Sequence, residues 1–290
     1  MASNAFRLLN VFADSTFSGN QLCVFEDARG MDDATMLNLA AQFNLSETTF
    51  ILPSERADAR VRVFTPGFEM KFAGHPAIGT AQVVRELRQA EDAVTLEFQA
   101  GVVPMTAQGD AWTFTAPCPD GVRTATPALD RAGIAELMGL SEEDLAADPI
   151  WVDTGADQLL VPVANVDAVR RAVPDVSLLN RWQASALGRK TMYLFAFDEG
   201  NVQSGRQVVV SRYFYAKPGG GINEDPGTGS ACANLGGWLL CRKAALPASM
   251  LVEQGDQTGR PCRLLLDVLA DGRILVGGRA LEIGRGTVTL

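Results

Sequence analysis

The chain has 290 residues, 47% of them hydrophobic and 20% charged, with 34 acidic against 25 basic residues and a formal net charge of −9. That length carries a large core and favours two domains, and an acidic balance without a basic stripe speaks against a nucleic-acid partner. Five scattered cysteines (23, 118, 232, 241 and 262) argue against a disulfide framework or a zinc site; no leader pattern in residues 1–17 and no long apolar run complete the reading of a cytoplasmic protein with no membrane partner.

Residues 6–12 alternate and read as a strand, residues 14–20 as a polar turn and residues 21–26 as a second strand. Asp32 or Asp33 can cap a helix to about Phe43, with Met36, Leu37, Leu39 and Ala40 at helical spacing. Residues 48–52 are β-rich, and Glu47 stands where that strand begins. A strand at 60–64 and a Pro-Gly turn at 66–67 lead into residues 72–80, then into a helix from about Pro76 or Gly79 to Arg88. Three antiparallel strands follow at 94–98, 101–105 and 111–115. The stretch between Thr115 and Asp130, with Pro117, Pro119 and Pro127, reads as an inter-domain linker. Beyond it the pattern predicts helices at 130–138, after Ser141, at 166–172 and at 176–187, and strands at 159–163, 192–197 and 208–214. A helix at 230–242 precedes strands at 251–253, 263–268, 273–276 and 280–283, with an Asp271-Gly272 hairpin turn.

The stretch 221–235 stands out: glycines, an acidic pair, a Pro-Gly-Thr-Gly turn, then Ser230 opening a helix. The first N–H groups of a helix have no partner within it and carry partial positive charge, so this reads as an anion cradle with Asp225 at its lip. Sliding the sequence by 150 residues gives it a counterpart. Arg62 and Phe64 fall on Arg212 and Phe214, His75 on Asp225, Pro76 on Pro226, Gly79 on Gly229, Thr80 on Ser230 and Ala81 on Ala231, without a gap. Gln21-Leu22-Cys23-Val24 echoes Gln158-Leu159-Leu160-Val161 at a smaller offset. The expectation is a pseudo-twofold protein with both helix N-termini facing one cleft.

His75 is the only histidine, which excludes a zinc site built on two of them. From the residues alone it is either a structural hydrogen-bonder beside Pro76 or half of a His–carboxylate set with Asp225. Glu47 is either a solvated strand-edge residue or a general acid/base shielded by Leu45 and Phe50. Residues 253–255 with 259–261 form a binding loop or a plain turn; composition favours the turn. Neither a P-loop nor a Gly-x-Gly-x-x-Gly pattern occurs in the glycine-rich segment.

Five pieces in order resemble the PhzF family, the phenazine-biosynthesis-like isomerases of the diaminopimelate-epimerase-like fold. They are Asn10-Val11-Phe12 with Phe17-Ser18-Gly19-Asn20, Asn44-Leu45-Ser46-Glu47-Thr48, Gly74-His75-Pro76, Glu224 through Ala231, and Glu253-Gln254-Gly255 with Gly259-Arg260-Pro261. The resemblance implies an α+β fold of two pseudo-symmetric domains, each a β-barrel-like sheet around a central helix. The expected division is residues 1–117, to which 279–290 can return, and residues 118–278, with the active site in the cleft between. It also implies Glu47 as the general acid/base, His75 and Asp225 as its assistants, and Gly74, Gly229 and Ser230 as substrate-binding residues. The implied reaction moves a proton between carbons of a small cyclic carboxylate, of the dihydro-hydroxyanthranilate type, in a homodimer, with no metal or organic cofactor.

Asn10 and Gln21 stand where members often have Asp and Pro. Racemases of the same fold use two cysteines as paired acid and base; here Ala73 and Pro226 occupy those places, and Cys232 reads as a core residue. An amino-acid racemase or epimerase, and a non-catalytic small-molecule-binding homologue, are the alternatives.

Overall fold

The computed structural model describes residues 3–118, 120–217 and 219–290. Pro119 of the expected linker lies outside them. In chain order the elements are β1 (Ser3–Val11), β2 (Asn20–Phe25), α1 (Asp33–Phe43), β3 (Glu47–Leu52), β4 (Ala59–Phe64), β5 (Glu69–Met70), α2 (Gly74–Arg88), β6 (Ala93–Phe98), β7 (Gly101–Gln108) and β8 (Ala111–Thr115). The chain continues through β9 (Arg123–Ala125), α3 (Arg131–Leu137), β10 (Ile150–Asp153), β11 (Asp157–Pro162), α4 (Val166–Arg171), β12 (Thr191–Gln203), β13 (Arg206–Ala216), β14 (Ile222–Asp225), α5 (Gly229–Cys241), β15 (Ala248–Gln254), β16 (Cys262–Val268) and β17 (Ile274–Thr289). Two compact units result, Met1–Thr115 with Val276–Leu290, and Ala116–Leu275.

The first unit is a closed ring of eight strands. β1 pairs antiparallel with β2 and β17, β2 runs parallel to β3, β3 pairs antiparallel with β4, and β4 runs parallel to β6. β6, β7 and β8 form an antiparallel meander, and the β8–β17 pairing completes the circle. Closure leaves none of these eight strands as an edge. The axis is filled by α2, buried from Gly74 to Ala81 without a break. Its first half, Gly-His-Pro-Ala-Ile-Gly-Thr-Ala, has no Asp, Glu, Lys or Arg, and a helix without a polar face belongs inside a core. Its charges, Arg85, Glu86 and Arg88, come only in the last turn.

On the outside of the sheet α1 packs Met36, Leu39 and Ala40 against Phe25 and Phe50, whose rings stack 4.9 Å apart. Asp32 caps it by accepting from the Thr35 N–H at 2.8 Å. Asp32→Ala is expected to cost ~1 kcal/mol of stability in chemical denaturation; an unchanged midpoint would show that the cap contributes nothing.

The second unit repeats the plan. β10 pairs antiparallel with β9 and β11, β11 runs parallel to β12, β12 pairs antiparallel with β13, β13 runs parallel to β15, and β15 pairs with β16. The central helix α5 has no charged residue at all and packs against β10, β11 and β16. Both units are therefore sheets around one buried helix, the α+β architecture expected.

Three expected elements differ. Residues 176–187 do not form an α-helix: a 3₁₀ turn covers Val176–Arg181, then Trp182 enters the core at 2% exposure and Asp157 accepts from the Ala186 N–H at 2.6 Å, drawing the chain away. Residues 274–283 form one strand rather than two, since β17 runs straight through Gly277. A side chain there would place Cβ 2.5 Å from Thr113 Oγ1 and 2.7 Å from the Trp112 carbonyl, so only glycine lets the strand lie this close. The helix at 76–88 begins earlier, at Gly74, because Pro76 sits in the first turn, where no N–H is needed, and the Ala77 N–H closes that turn on the Ala73 carbonyl at 3.1 Å.

The repeat itself needs a gap. Arg62 lies over the Phe64 ring and pairs with Glu69; Arg212 lies over the Phe214 ring and pairs with Glu224. The Arg-Phe pieces are 150 positions apart, but Glu69 and Glu224, like the helix starts Gly74 and Gly229, are 155 apart. Five extra residues between Phe214 and Glu224 absorb the difference, four of them in the longer β13–β14 ladder. His75 thus corresponds to Ser230, both second in their helices, and not to Asp225, which ends β14 and corresponds to Met70.

Candidate active site

In the first unit, Glu47 opens β3 opposite Leu22 of β2, and His75 is the second residue of α2. The strand and helix bring them together: His75 Nε2 lies 3.3 Å from Glu47 Oε2, with the side chains 7% and 16% exposed. His75 also bonds to the Gln21 backbone, and because Nε2 makes no hydrogen bond that contact belongs to Nδ1. A backbone carbonyl fixes the proton on Nδ1, so Nε2 turns a lone pair toward Glu47. Burial pushes the imidazole down to about 3, so it stays neutral across the physiological range. The sequence does not pair these two residues; within this unit the structure does.

The sign of the resulting pH dependence follows. An unfolded histidine titrates near 6.5, whereas the folded one stays neutral to about 3. The contribution is present above pH ~6.5 and is lost as the pH falls, because the unfolded state gains the extra proton. Between pH 6.5 and 5, wild type is expected to lose ~1–2 kcal/mol more than His75→Gln in urea denaturation. Parallel stability curves for the two proteins would refute the buried neutral state.

The neighbouring motif residues shape the loop leading into β2. The Asn10 side chain donates to the Thr16 carbonyl at 2.7 Å, and Ser18 Oγ accepts from the Asp14 and Ser15 N–H groups at 3.0 and 2.9 Å. Ser46 Oγ donates to Asn20 Oδ1 at 3.1 Å, tying the residue before Glu47 to the start of β2.

In the second unit, Asp225 ends β14 opposite Tyr213, and Thr228, the N-cap of α5, donates its hydroxyl to the Asp225 carboxylate. The fully buried Gln254 clamps this turn: Nε2 donates to the Asp225 carbonyl at 2.8 Å and to Thr228 Oγ1 at 3.0 Å. The 253–255 segment is thus neither a bare turn nor an independent loop but a brace for the cradle. Gly229 and Ser230 open α5, a helix long enough for its first N–H groups to favour an anion. Ser230 Oγ accepts from Gln158 Nε2 at 2.9 Å.

Gln158, Asn234 and Gln254 escaped recognition as site residues. Gln158 had a signal, its echo of Gln21, and Gln254 lies inside a motif piece. No cysteine opens either central helix: Ala73 caps α2 and Thr228 caps α5, and Pro226 precedes that cap. Burial raises the Cys232 thiol far above its ordinary value, which suits a core side chain.

No helix among the described residues is long and apolar enough to cross a membrane. The family model of phenazine biosynthesis-like proteins matches residues 9–286. An uncharacterized isomerase of Pasteurella multocida is 37% identical over 97% of this chain and 93% of its own. The trans-2,3-dihydro-3-hydroxyanthranilate isomerase of Pseudomonas fluorescens is 31% identical over 98% of both chains. The crystal structure of a Bacillus anthracis PhzF-family protein matches in fold at a TM-score of 0.84, with 23% identity and full coverage of both chains. The two-unit fold with its buried central helices, the motif pieces and these matches lead to one conclusion: the chain belongs to the PhzC-PhzF family of phenazine biosynthesis-like proteins and is an isomerase of that family.

Proposed function

We propose that the protein shifts a proton between carbons of a small cyclic carboxylate of the dihydro-hydroxyanthranilate type, with Glu47 as general acid/base. The observation that carries this reading is the shielded Glu47–His75 pair, in which a fixed imidazole lone pair faces the carboxylate at 3.3 Å. Glu47 takes a proton from a ring carbon, and the electron pair left behind moves into the adjoining unsaturated system. The new carboxyl proton can bond to His75 Nε2, which stabilises the protonated form and orients it. Glu47 then delivers a proton to a different ring carbon, where the displaced double bond supplies the electron pair. Atoms and charge balance without a co-reactant.

Gly74, which opens α2, is assigned to substrate binding. Asp225, Gly229 and Ser230 are assigned to orienting the substrate and holding its carboxylate, through helix N–H groups and the serine hydroxyl. Side chains alone serve as acid and base.

The test is incubation with trans-2,3-dihydro-3-hydroxyanthranilate in H₂O and in D₂O, followed by ultraviolet absorbance and mass spectrometry. Conversion to an isomer of unchanged mass in H₂O supports the reaction. A folded wild-type protein that isomerises neither this compound nor any related cyclic carboxylate would remove the reading. A homodimer belongs to the same proposal. Sedimentation is expected to give about twice the 31.0 kDa chain mass, and a monomer at micromolar concentration would refute that part.

A further inference from the structure

A line of four buried or partly buried polar side chains runs through the second unit and ends on Ser230. The Thr154 backbone N–H donates to Asn234 Oδ1 at 2.9 Å, and the Thr154 hydroxyl reaches the same oxygen at 2.7 Å. A backbone N–H can only donate, so this end fixes which way the Asn234 amide faces. Its Nδ2 donates to the Ala156 carbonyl at 2.7 Å, which can only accept, and to Gln158 Oε1. With its oxygen committed, Gln158 must present nitrogen on its other side, and Nε2 donates to Ser230 Oγ at 2.9 Å. Gln158 also reaches the Tyr213 hydroxyl. Asn234 and Gln158 are both 0% exposed, so water does not compete for these bonds.

Two backbone groups therefore set the polarity of the whole line. A serine hydroxyl that accepts from an amide keeps its own proton for another acceptor. Ser230 is the second residue of α5 and partly exposed, so that proton is offered at the mouth of the helix, alongside its first N–H groups. A reversed line, with Gln158 oxygen facing Ser230, would consume the hydroxyl proton and turn a lone pair toward any incoming anion.

We propose that Gln158, held by Asn234, is a positioning residue that fixes the Ser230 hydroxyl as a hydrogen-bond donor to the substrate carboxylate. This rests on the assignment of Ser230 to carboxylate binding made above. The first unit supports it by comparison. Gln21, like Gln158, is second in its strand; through its backbone carbonyl, where Gln158 uses its side chain, it fixes the imidazole of His75, which, like Ser230, is second in its helix. The two units use the same pair of positions to set the polarity of one side chain each, a lone pair in His75 and a donor proton in Ser230.

The decisive experiment is a double-mutant cycle read by calorimetric binding of 3-hydroxyanthranilate, an aromatic carboxylate of the proposed skeleton. Gln158→Glu keeps the size but replaces the donor with an acceptor. In the wild-type background it is expected to weaken binding about 10- to 100-fold. Its added charge acts in any background, so the informative quantity is the difference: in Ser230→Ala the same change should cost about tenfold less. In steady-state turnover the loss falls on KM rather than kcat. Equal costs in the two backgrounds would overturn the proposal.

Neutron diffraction from deuterium-exchanged wild-type crystals gives a second answer that needs no variant and no ligand. The hydroxyl deuteron of Ser230 is expected to point away from Gln158. A deuteron lying between Ser230 Oγ and Gln158 overturns the assignment. Wild type that fails to bind 3-hydroxyanthranilate would count against the carboxylate-binding role, while the neutron map still decides the polarity of the line.

Discussion

Replacement of Glu47 by glutamine is expected to lower kcat/KM for proton transfer by about 10²- to 10⁴-fold, with the fold intact. Glutamine has the size and shape of the carboxyl group but cannot take up a proton from carbon. The position is 16% exposed and beside a neutral imidazole, so an uncharged isostere meets no steric obstacle. Binding of 3-hydroxyanthranilate should change little, because the carboxylate of the ligand is assigned to other groups. A Glu47→Gln protein with a tenth or more of wild-type activity would remove Glu47 as the acid/base. Equal binding with lost turnover also separates this reading from a homologue that only binds, for which no activity would exist to lose.

Gly255→Ala is expected to destabilise the protein by ~2–4 kcal/mol and to lower activity with it. Gly255 has a φ of +86°, in the left-handed region, and an added Cβ would lie 2.4 Å from the Arg260 carbonyl and 2.5 Å from the Pro226 carbonyl. Both are backbone oxygens with no rotamer by which to withdraw, so the chain must move. Pro226 follows Asp225 directly, and Gln254 precedes Gly255 while holding the Asp225 carbonyl and Thr228 hydroxyl. Strain at 255 is therefore transmitted to the turn that presents Asp225 and opens α5. Urea denaturation and substrate turnover should fall together. A variant within ~0.5 kcal/mol of wild type would show that the loop gives way freely.

The fold was legible where sequence patterning is carried by packing. Charge-free stretches at 74–81 and 229–241 mark the two buried helices, and Asp32 marks the cap of α1 by its position before Met36, Leu39 and Ala40. What failed was geometry that no local pattern encodes. The helix expected at 176–187 yields to a buried tryptophan and to Asp157, a residue distant in sequence. The gapless repeat yields to a longer β13–β14 hairpin, which leaves the Arg–Glu pairs intact while shifting everything after them.

Of the candidate site, the residues that titrate or start a helix stand out in the sequence, and those that orient them do much less. Glu47 and His75 each invite a chemical role, yet their contact comes from β3 and α2 meeting across 28 positions of sequence. Gln158, Asn234 and Gln254 carry no charge, and an amide gains direction only from the backbone groups around it. Such residues become visible once the hydrogen bonds of Thr154, Ala156 and Asp225 are known.

The closing of the first ring by β17 has a consequence for biosynthesis. Ser3 pairs with Thr289 and Val11 with Ala280, so β1 waits for β17. While the ribosome works through residues 116–275, β1 and β8 keep an open seam that β17 fills. The second unit has its own central helix and sheet by then and can mature ahead of the first, reversing the usual order in which the leading part of a nascent chain folds earliest.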